Sequence, residues 1–352
     1  MIDKETIIEL KKNGKPVYIY GNMLTAKNVC QTLLKNGISP SAFVIDSFAF
    51  KGNDTIQGIP VKCIDDVEDI AGSNIVIGFD NVEKARVLLS ARKYLVYNLF
   101  HIVSLEDSFH WTNDFIQNNS MILNSFKTSL ADEKSRRVFT ALSSLYMGEG
   151  NIEQLLSVSE GNQYFNELTF CNNSSNEFFI DCGAFDGDTI KKYVEFTGKT
   201  YKKILAMEPL PENLVNLRKN TCNIENLDIV EYGTWKENAI LLFNPDTSAS
   251  SVSETGSVQV KMNSIDNIVN NDERVTLIKM DIEGSEFEAL QGAKNTIERC
   301  LPKLAICVYH KYDDLIRIPT LIRSFKGASS YKFYLRHHSN RLTETVLYAI
   351  PS

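Results

Sequence analysis

The residues best placed to do chemistry begin at 178–189, FFIDCGAFDGDT. There an apolar run ends in Asp181, bends through Gly183 and Gly187, and becomes helical text at Thr189. A strand, a glycine turn and a helix N-terminus leave backbone N–H groups and a helix dipole open to close approach by a ligand. Glu208 closes the next apolar run, 21 residues past Gly187. A carboxylate at that point can accept both hydrogen bonds of a ribose 2′,3′-diol and repels a 2′-phosphate. The turn reads D-x-G-x-x-D-G, with Asp181 and Asp186 in the bend, where a dinucleotide turn has G-x-G-x-x-G. Acids are poor neighbours for a pyrophosphate and good ones for a cation. S-adenosylmethionine, which carries an ammonium and a sulfonium but no phosphate, suits them better than NAD.

A second group follows at 276–287, TLIKMDIEGSEF, which contains Lys279, Asp281, Glu283, Gly284 and Glu286. His310 stands just beyond the apolar run 304–309. Both positions fall at strand ends, and an imidazole titrating near neutrality is a natural general base for deprotonating a hydroxyl. Asp281 and Glu283 can clamp a cofactor ammonium, bind acceptor hydroxyls or hold magnesium, or they can cap the next helix. Lys311, Arg336 and His337 are candidates for the acceptor side of the pocket. His337 and His338 are neighbours on a strand, point to opposite faces, and so cannot share one metal ion. Trp235, in GTW, follows the third strand, where it either packs on an adenine ring or joins the core.

Positioning these residues needs an open sheet. Strands are expected at 178–182, 204–208, 228–231, 275–280, 303–309, 332–337 and 345–350. The last two are too close for a helical crossover and must form an antiparallel hairpin. That hairpin on a parallel sheet distinguishes the class I methyltransferase arrangement, so 177–352 is read as that α/β domain. Residues 1–100 form a smaller Rossmann-like α/β domain, with strands at 17–20, 42–46, 74–78 and 94–98. Between the first two, Ala26, Val29, Cys30, Leu33 and Leu34 share a helical face that stops at Asn36-Gly37. Gly21 lacks the later glycines of a dinucleotide fingerprint, so Asp46 is a weak candidate for binding ribose, and this domain reads as a docking or dimerising scaffold. The text from 101 to 176 is a helical connector or lid. Val138, Leu142 and Leu145 lie on one face after a cap at Asp132.

Composition narrows the function classes. A chain of 352 residues, 43% hydrophobic, can bury more than one core. Its 37 basic and 44 acidic residues give a net charge of -7, which disfavours nucleic acid as a partner. The longest unbroken apolar run, 304–309, is far short of the roughly 18 to 20 residues that cross a bilayer. The opening IDKETIIELKKN has charges where a secretion signal needs an apolar core, so a cytoplasmic protein is expected. Seven widely spaced cysteines read as reduced core thiols, with no zinc site and no assigned metal.

Five stretches together resemble the FkbM family of S-adenosylmethionine-dependent methyltransferases. They are FIDCGAFDGDT at 179–189, TLIKMDIEGSEFEALQGA at 276–293, KLAICVYHKYDDLIRIP at 303–319, YLRHHS at 334–339 and ETVLYAIP at 344–351. The resemblance spans essentially all of the C-terminal domain, and its most specific element is K-x-D-x-E-G-x-E at Lys279 to Glu286. Phe185 stands where generic class I turns have a middle glycine. The resemblance implies O-methylation, commonly of a sugar or polyketide hydroxyl, here on a surface glycan, glycolipid or nucleotide-sugar. Tyr164, in NQYF, resembles a lid position of the family. An NAD-linked sugar-modifying oxidoreductase and a non-catalytic nucleotide- or sugar-binding scaffold are the competing functions.

Overall fold

The computed structural model describes residues 4–52, 54–68, 70–78, 89, 98–101, 111–147, 152–170, 174–243, 258–339 and 342–352. The chain divides into two compact units. One comprises Met1–Asn118, Thr140–Val158 and Asn340–Leu342, and the other Asn119–Phe139, Ser159–Ser339 and Thr343–Ser352. The segment 101–176 is thereby shared between them.

In the first unit a six-stranded sheet has the order β3-β4-β2-β1-β5-β6. Its centre is β1 (Val17–Tyr20), β2 (Ala42–Ile45) and β5 (Asn74–Ile77), parallel and buried at every residue. Burial on both faces explains why their text is continuously apolar. β6 (Asn98–His101) extends the parallel sheet on one side, starting at the end of the run expected at 94–98, whose residues 94–97 lie outside the described ones. The hairpin β3 (Asp54–Ile56) and β4 (Ile59–Cys63) was not legible in the sequence, because its residues are mostly exposed and carry no apolar run. α1 (Lys4–Asn13) precedes β1, and α2 (Leu24–Lys35) buries Ala26, Val29, Cys30 and Leu33 before Gly37, at φ +72°, ends it.

Helices α3 (Asn113–Ser129), α4 (Glu133–Met147) and α5 (Ile152–Leu156) occupy the middle of the chain. Asp132 caps α4 as expected, accepting the Ser135 N–H at 2.8 Å. None of the described helices is long and apolar enough to cross a membrane.

The second unit holds a seven-stranded sheet of order β15-β16-β14-β13-β7-β8-β9. β7 (Phe178–Cys182), β8 (Lys203–Met207), β9 (Leu227–Val230), β13 (Leu277–Met280) and β14 (Lys303–Cys307) run parallel. β16 (Thr345–Pro351) is antiparallel to both β14 and β15 (Tyr331–His337), giving the expected final hairpin. This is the Rossmann-like sheet with an antiparallel last hairpin that the sequence led us to expect. The chain builds outward from β7 through β8 to β9, then returns to lay β13 on the other side of β7. The β7/β13 boundary is therefore the switch point at which open α/β sheets place ligands. The register pairs Cys182 with both Met280 and Met207, so three strand ends come level at one edge.

Helices α6 (Asp188–Phe196), α7 (Pro211–Asn220), α8 (Ile265–Ile268), α9 (Glu286–Gln291), α10 (Lys294–Cys300) and α11 (Asp314–Arg323) complete the unit. Phe165, Phe179 and Tyr193 stack in its core, the last two with ring centroids 4.4 Å apart. A small sheet of β10 (Gly233–Thr234), β12 (Val258–Asn263) and β11 (Ala239–Phe243) was not anticipated. The first is too short to show a pattern, and β11 is apolar at exposed as well as buried positions, which hides a period of two. Six cysteines are free thiols, and all but the exposed Cys222 are buried, whereas Cys171 lies outside the described residues.

Candidate active site

The turn after β7 is held from both sides. Asp181 is fully buried, and Lys279, its register partner on β13, places Nζ 3.0 Å from Asp181 Oδ1. The same ammonium donates to the Gly183 carbonyl at 2.9 Å. Burial works against both charges. Asp181 is pushed above the usual carboxylate range, while Asp181 and Asp281 outweigh desolvation at Lys279 and keep the lysine protonated. Gly183 has φ +80°, and a Cβ there would lie 2.1 Å from the Asp281 carbonyl oxygen. No residue with a side chain fits between the strands at that point. Gly187, at φ +85°, forms the N-cap of α6.

Glu208, just past β8, is buried and already well bonded. Its carboxylate accepts the Phe185 N–H at 3.0 Å, the Leu210 N–H at 3.0 Å and Asn213 Nδ2 at 3.1 Å. Of about four lone-pair sites on a carboxylate, three are engaged. One strong bond is left for a ribose hydroxyl, where the sequence suggested two. Burial raises the Glu208 pKa against these donors. Asp186 has a local role: its Oδ1 accepts the Asp188 N–H at 3.2 Å, at the start of α6. Asp188 and Thr189, not Asp186, face the cavity.

A second cluster sits at the end of β13. Asp281 accepts the Tyr164 hydroxyl at 2.9 Å and the Tyr309 hydroxyl at 3.1 Å. Burial raises its pKa, but Lys279, His310 and the two tyrosines outweigh that and bring it below the usual value. β14 ends at Cys307, earlier than expected, so His310 falls in the following loop and folds back toward α9. Its Nδ1 is 2.9 Å from Glu286 Oε1, and its Nε2 is 3.5 Å from Asp281 Oδ1 and 3.4 Å from Glu283 Oε2. Burial depresses the imidazole, yet Glu286, Asp281 and Glu283 raise it to about 9. This corrects the expectation of a base poised near neutrality. With its side chain only 8% exposed and protonated at pH 7, His310 is an imidazolium that organises carboxylates. Glu283 is 41% exposed, and its pKa is raised by burial and by Asp281, Glu286 and Glu344 against the pull of His310. Tyr164, Glu283 and Glu344 all have positive φ, at +66°, +54° and +69°. Three non-glycine residues in the left-handed region around one carboxylate is a concentration of strain typical of functional sites.

Between the two groups lies a cavity of about 520 Å³, walled by Gly183, Phe185 and Glu208 on one side and by Lys279, Asp281 and Glu283 on the other. Asn213, Gly233, Phe243 and Met262 complete its lining. The size is that of an ordinary small-molecule site. Other candidates lie elsewhere. Trp235 packs with Val260 and Met262 in the small-sheet core, and Gly233 and Thr234 occupy the wall instead. Tyr164 is buried behind Asp281. The Lys311 N–H donates to Asp314 Oδ2 at 2.7 Å, beside the loop. Arg336 is buried in ion pairs with Asp132 at 2.6 Å and Glu160 at 3.2 Å, and His337 Nδ1 is 2.9 Å from the Thr345 hydroxyl. Both are parts of the scaffold, not of the cavity wall. In the first unit the Tyr20 hydroxyl donates to Asp46 Oδ2 at 2.5 Å, so that acid is covered. Sequence reasoning had passed over Glu286, Tyr309 and Asn213. Glu286 stood in the quoted motif, but only folding brings His310 to it.

Residues 181–327 match the model of the Methyltransferase FkbM domain. The chain is similar over 97% of its length to 92% of the crystal structure of Methyltransferase FkbM from Methylobacillus flagellatus KT, at 22% identity and a TM-score of 0.69. About half of it, 51%, aligns with 88% of an rRNA methylase from Streptococcus thermophilus, at 15% identity and a TM-score of 0.34. No curated protein matches the chain significantly.

Proposed function

We propose that the protein, whose residues 181–327 match the Methyltransferase FkbM domain, methylates a hydroxyl of a neutral sugar, in a surface glycan or glycolipid, using S-adenosylmethionine. The observation that carries this reading is the pairing, across one cavity, of the Gly183–Glu208 wall with the Asp281–Glu283 wall. The residues present fit the cofactor. Gly183 lines the cavity with backbone alone, Glu208 retains one acceptor site for a ribose hydroxyl, and the surrounding carboxylates suit a ligand that carries an ammonium and a sulfonium. When bound, the cofactor supplies a methyl group on a sulfonium with a neutral thioether as leaving group.

The chain's own residues have two tasks, holding the acceptor and receiving its proton. Asp281, fixed by Tyr164 and Tyr309, is oriented to accept a hydrogen bond from the acceptor. Glu283 is the better proton acceptor, because it is more exposed on the cavity wall and its pKa is shifted upward, toward that of a useful base. A carboxylate remains a weak base for an alcohol, so the proton leaves late, as the oxygen bonds to the methyl carbon and becomes acidic. The acidic wall favours a neutral sugar over a nucleotide-sugar, whose diphosphate it would repel. A nicotinamide-linked reaction finds less support, since Asp46 is covered by Tyr20 and the carboxylates of Asp188, Asp281 and Glu283 line the cavity in which a pyrophosphate would sit.

Incubation with labelled S-adenosylmethionine and a panel of glycans, glycolipids and nucleotide-sugars, followed by mass spectrometry, tests the reading. Glu283→Gln should lower single-turnover transfer by about 10² to 10⁴ with cofactor affinity nearly unchanged. Absence of cofactor binding by the wild type would sink the proposal.

A further inference from the structure

The geometry points to His338 as a positioning residue, which acts through Tyr348 and Tyr164 on the acceptor-facing carboxylate of Asp281. This rests on the methylation reading for the part Asp281 plays. The four side chains form a hydrogen-bonded chain whose direction is fixed at its far end. His338 Nδ1 is 3.2 Å from the Glu160 carbonyl oxygen, and Nε2 is 3.0 Å from the Tyr348 hydroxyl. A carbonyl can only accept, so Nδ1 carries the proton. Burial depresses this imidazole to about 4 against the pull of a backbone carbonyl, and Arg336 and Lys134 add to the depression, so the ring is neutral at pH 7. Nε2 is then an acceptor, and the Tyr348 O–H donates to it. The Tyr348 oxygen in turn accepts the Tyr164 N–H at 3.0 Å and the Asn166 side chain. At the near end, the Tyr164 hydroxyl donates to Asp281 Oδ2 at 2.9 Å.

The direction matters because Tyr164 has to be held. Its φ of +66° is a backbone conformation that a bulky side chain keeps only when its surroundings impose it. Tyr348 takes its N–H, and the Thr169 hydroxyl donates to its carbonyl at 2.8 Å. The residues before it are fastened to the final hairpin. The Ser159 hydroxyl donates to the Ser339 carbonyl at 2.9 Å, the Glu160 N–H to the His337 carbonyl at 2.9 Å, and Gln163 Nε2 to Glu344 Oε2 at 2.6 Å. A ring protonated on Nε2 would bring a third donor to a Tyr348 oxygen that has two lone pairs, and so would displace one of the N–H groups it accepts. Asp281 is also faced by Lys279, His310, Tyr309 and Glu283. Tyr164 is the partner whose backbone this chain reaches, and it sets where one of the two hydroxyls on the carboxylate lies. The last strand pair thus serves the site as well as closing the sheet.

The test uses the full-length chain and needs neither cofactor nor acceptor, so its failure is distinguishable from failure of the methylation reading. Nitrogen NMR of protein isotopically labelled in histidine, with His338 assigned by its loss in His338→Gln, reports the ring directly. The expected state at pH 7 is neutral, with the proton on Nδ1. Carbon NMR of labelled aspartate carboxyls, with Asp281 assigned by its loss in Asp281→Asn, reads the near end. His338→Leu and Tyr348→Phe should each displace the Asp281 resonance in the same direction as Tyr164→Phe, which removes the hydroxyl outright. Added to Tyr164→Phe, His338→Leu should displace it no further, because both act through one path. In His338→Gln the side-chain carbonyl can still accept the Tyr348 O–H, and the Asp281 resonance should return to its wild-type position. Circular dichroism identifies variants that have not folded, and the ring signal of the wild type requires no variant. A ring protonated on Nε2 or charged at pH 7 overturns the inference. So does an Asp281 resonance unmoved by His338→Leu and Tyr348→Phe in folded protein, since a histidine that merely packs would change stability and leave that carboxylate as it was.

Discussion

Replacing Glu208 by Gln removes one charge and one acceptor oxygen from a site whose bonds are all accounted for. Oε1 takes the Leu210 N–H and Asn213, and Oε2 takes the Phe185 N–H. A glutamine that keeps its carbonyl at the Oε1 position turns its amide N–H groups toward the Phe185 N–H and toward the remaining ribose-binding direction. A cofactor hydroxyl then loses a hydrogen bond to a charged acceptor, worth about 1.5 to 3 kcal/mol. The dissociation constant of S-adenosylmethionine should rise roughly 10- to 150-fold. Isothermal titration at constant ionic strength measures it, and a thermal melt without ligand checks that the turn at Phe185 survives. A shift of less than about 3-fold in folded protein would refute the reasoning and place the ribose elsewhere. Glu208→Asp keeps the charge but withdraws it by one methylene, and should fall between wild type and Gln.

Gly183→Ala should cost about 2 to 5 kcal/mol in urea unfolding, because the added Cβ meets the Asp281 carbonyl in a left-handed conformation; an unchanged midpoint would contradict the close strand approach. Tyr164→Phe, which strips one of two hydroxyls from Asp281, should lower stability by about 1.5 to 3 kcal/mol and also slow turnover; wild-type values for both would show that Tyr309 alone suffices. At Asp132, burial raises the pKa but Arg336 and Ser135 outweigh it, setting it at about 2. Because the folded value is depressed, the pair's stabilisation is present above the unfolded value of 3.8 and is lost as pH falls toward 2. Denaturation midpoints of Asp132→Asn should therefore fall less steeply across that window than those of wild type, and parallel curves would remove the pair from the acid response.

Much of this molecule was written locally. The central strands of the second unit's sheet appear as apolar runs because parallel strands covered on both faces bury nearly every residue, whereas edge strand β9 buries none and shows only through Leu227, Ile229 and Val230. The short spacing of the last two forced their antiparallel pairing without any view of the fold. The turn at Gly183 and Gly187 and the strand end at Glu208 were legible for a similar reason, since a strand, a turn and a following strand end are set by near neighbours in the chain. The small sheet and the β3–β4 hairpin were not, because half-exposed short strands leave no periodic trace. The role of His310 was decided by tertiary structure alone. Its sequence position suggested an imidazole at a strand end, titrating near neutrality unless Asp281 or Glu283 raised it. Folding brings Glu286 from α9, Asp281 from β13 and Glu283 from the intervening loop around the ring, and three carboxylates in a partly desolvated space change its protonation. A pKa depends on every charge within several ångströms, and no stretch of sequence records which charges those will be.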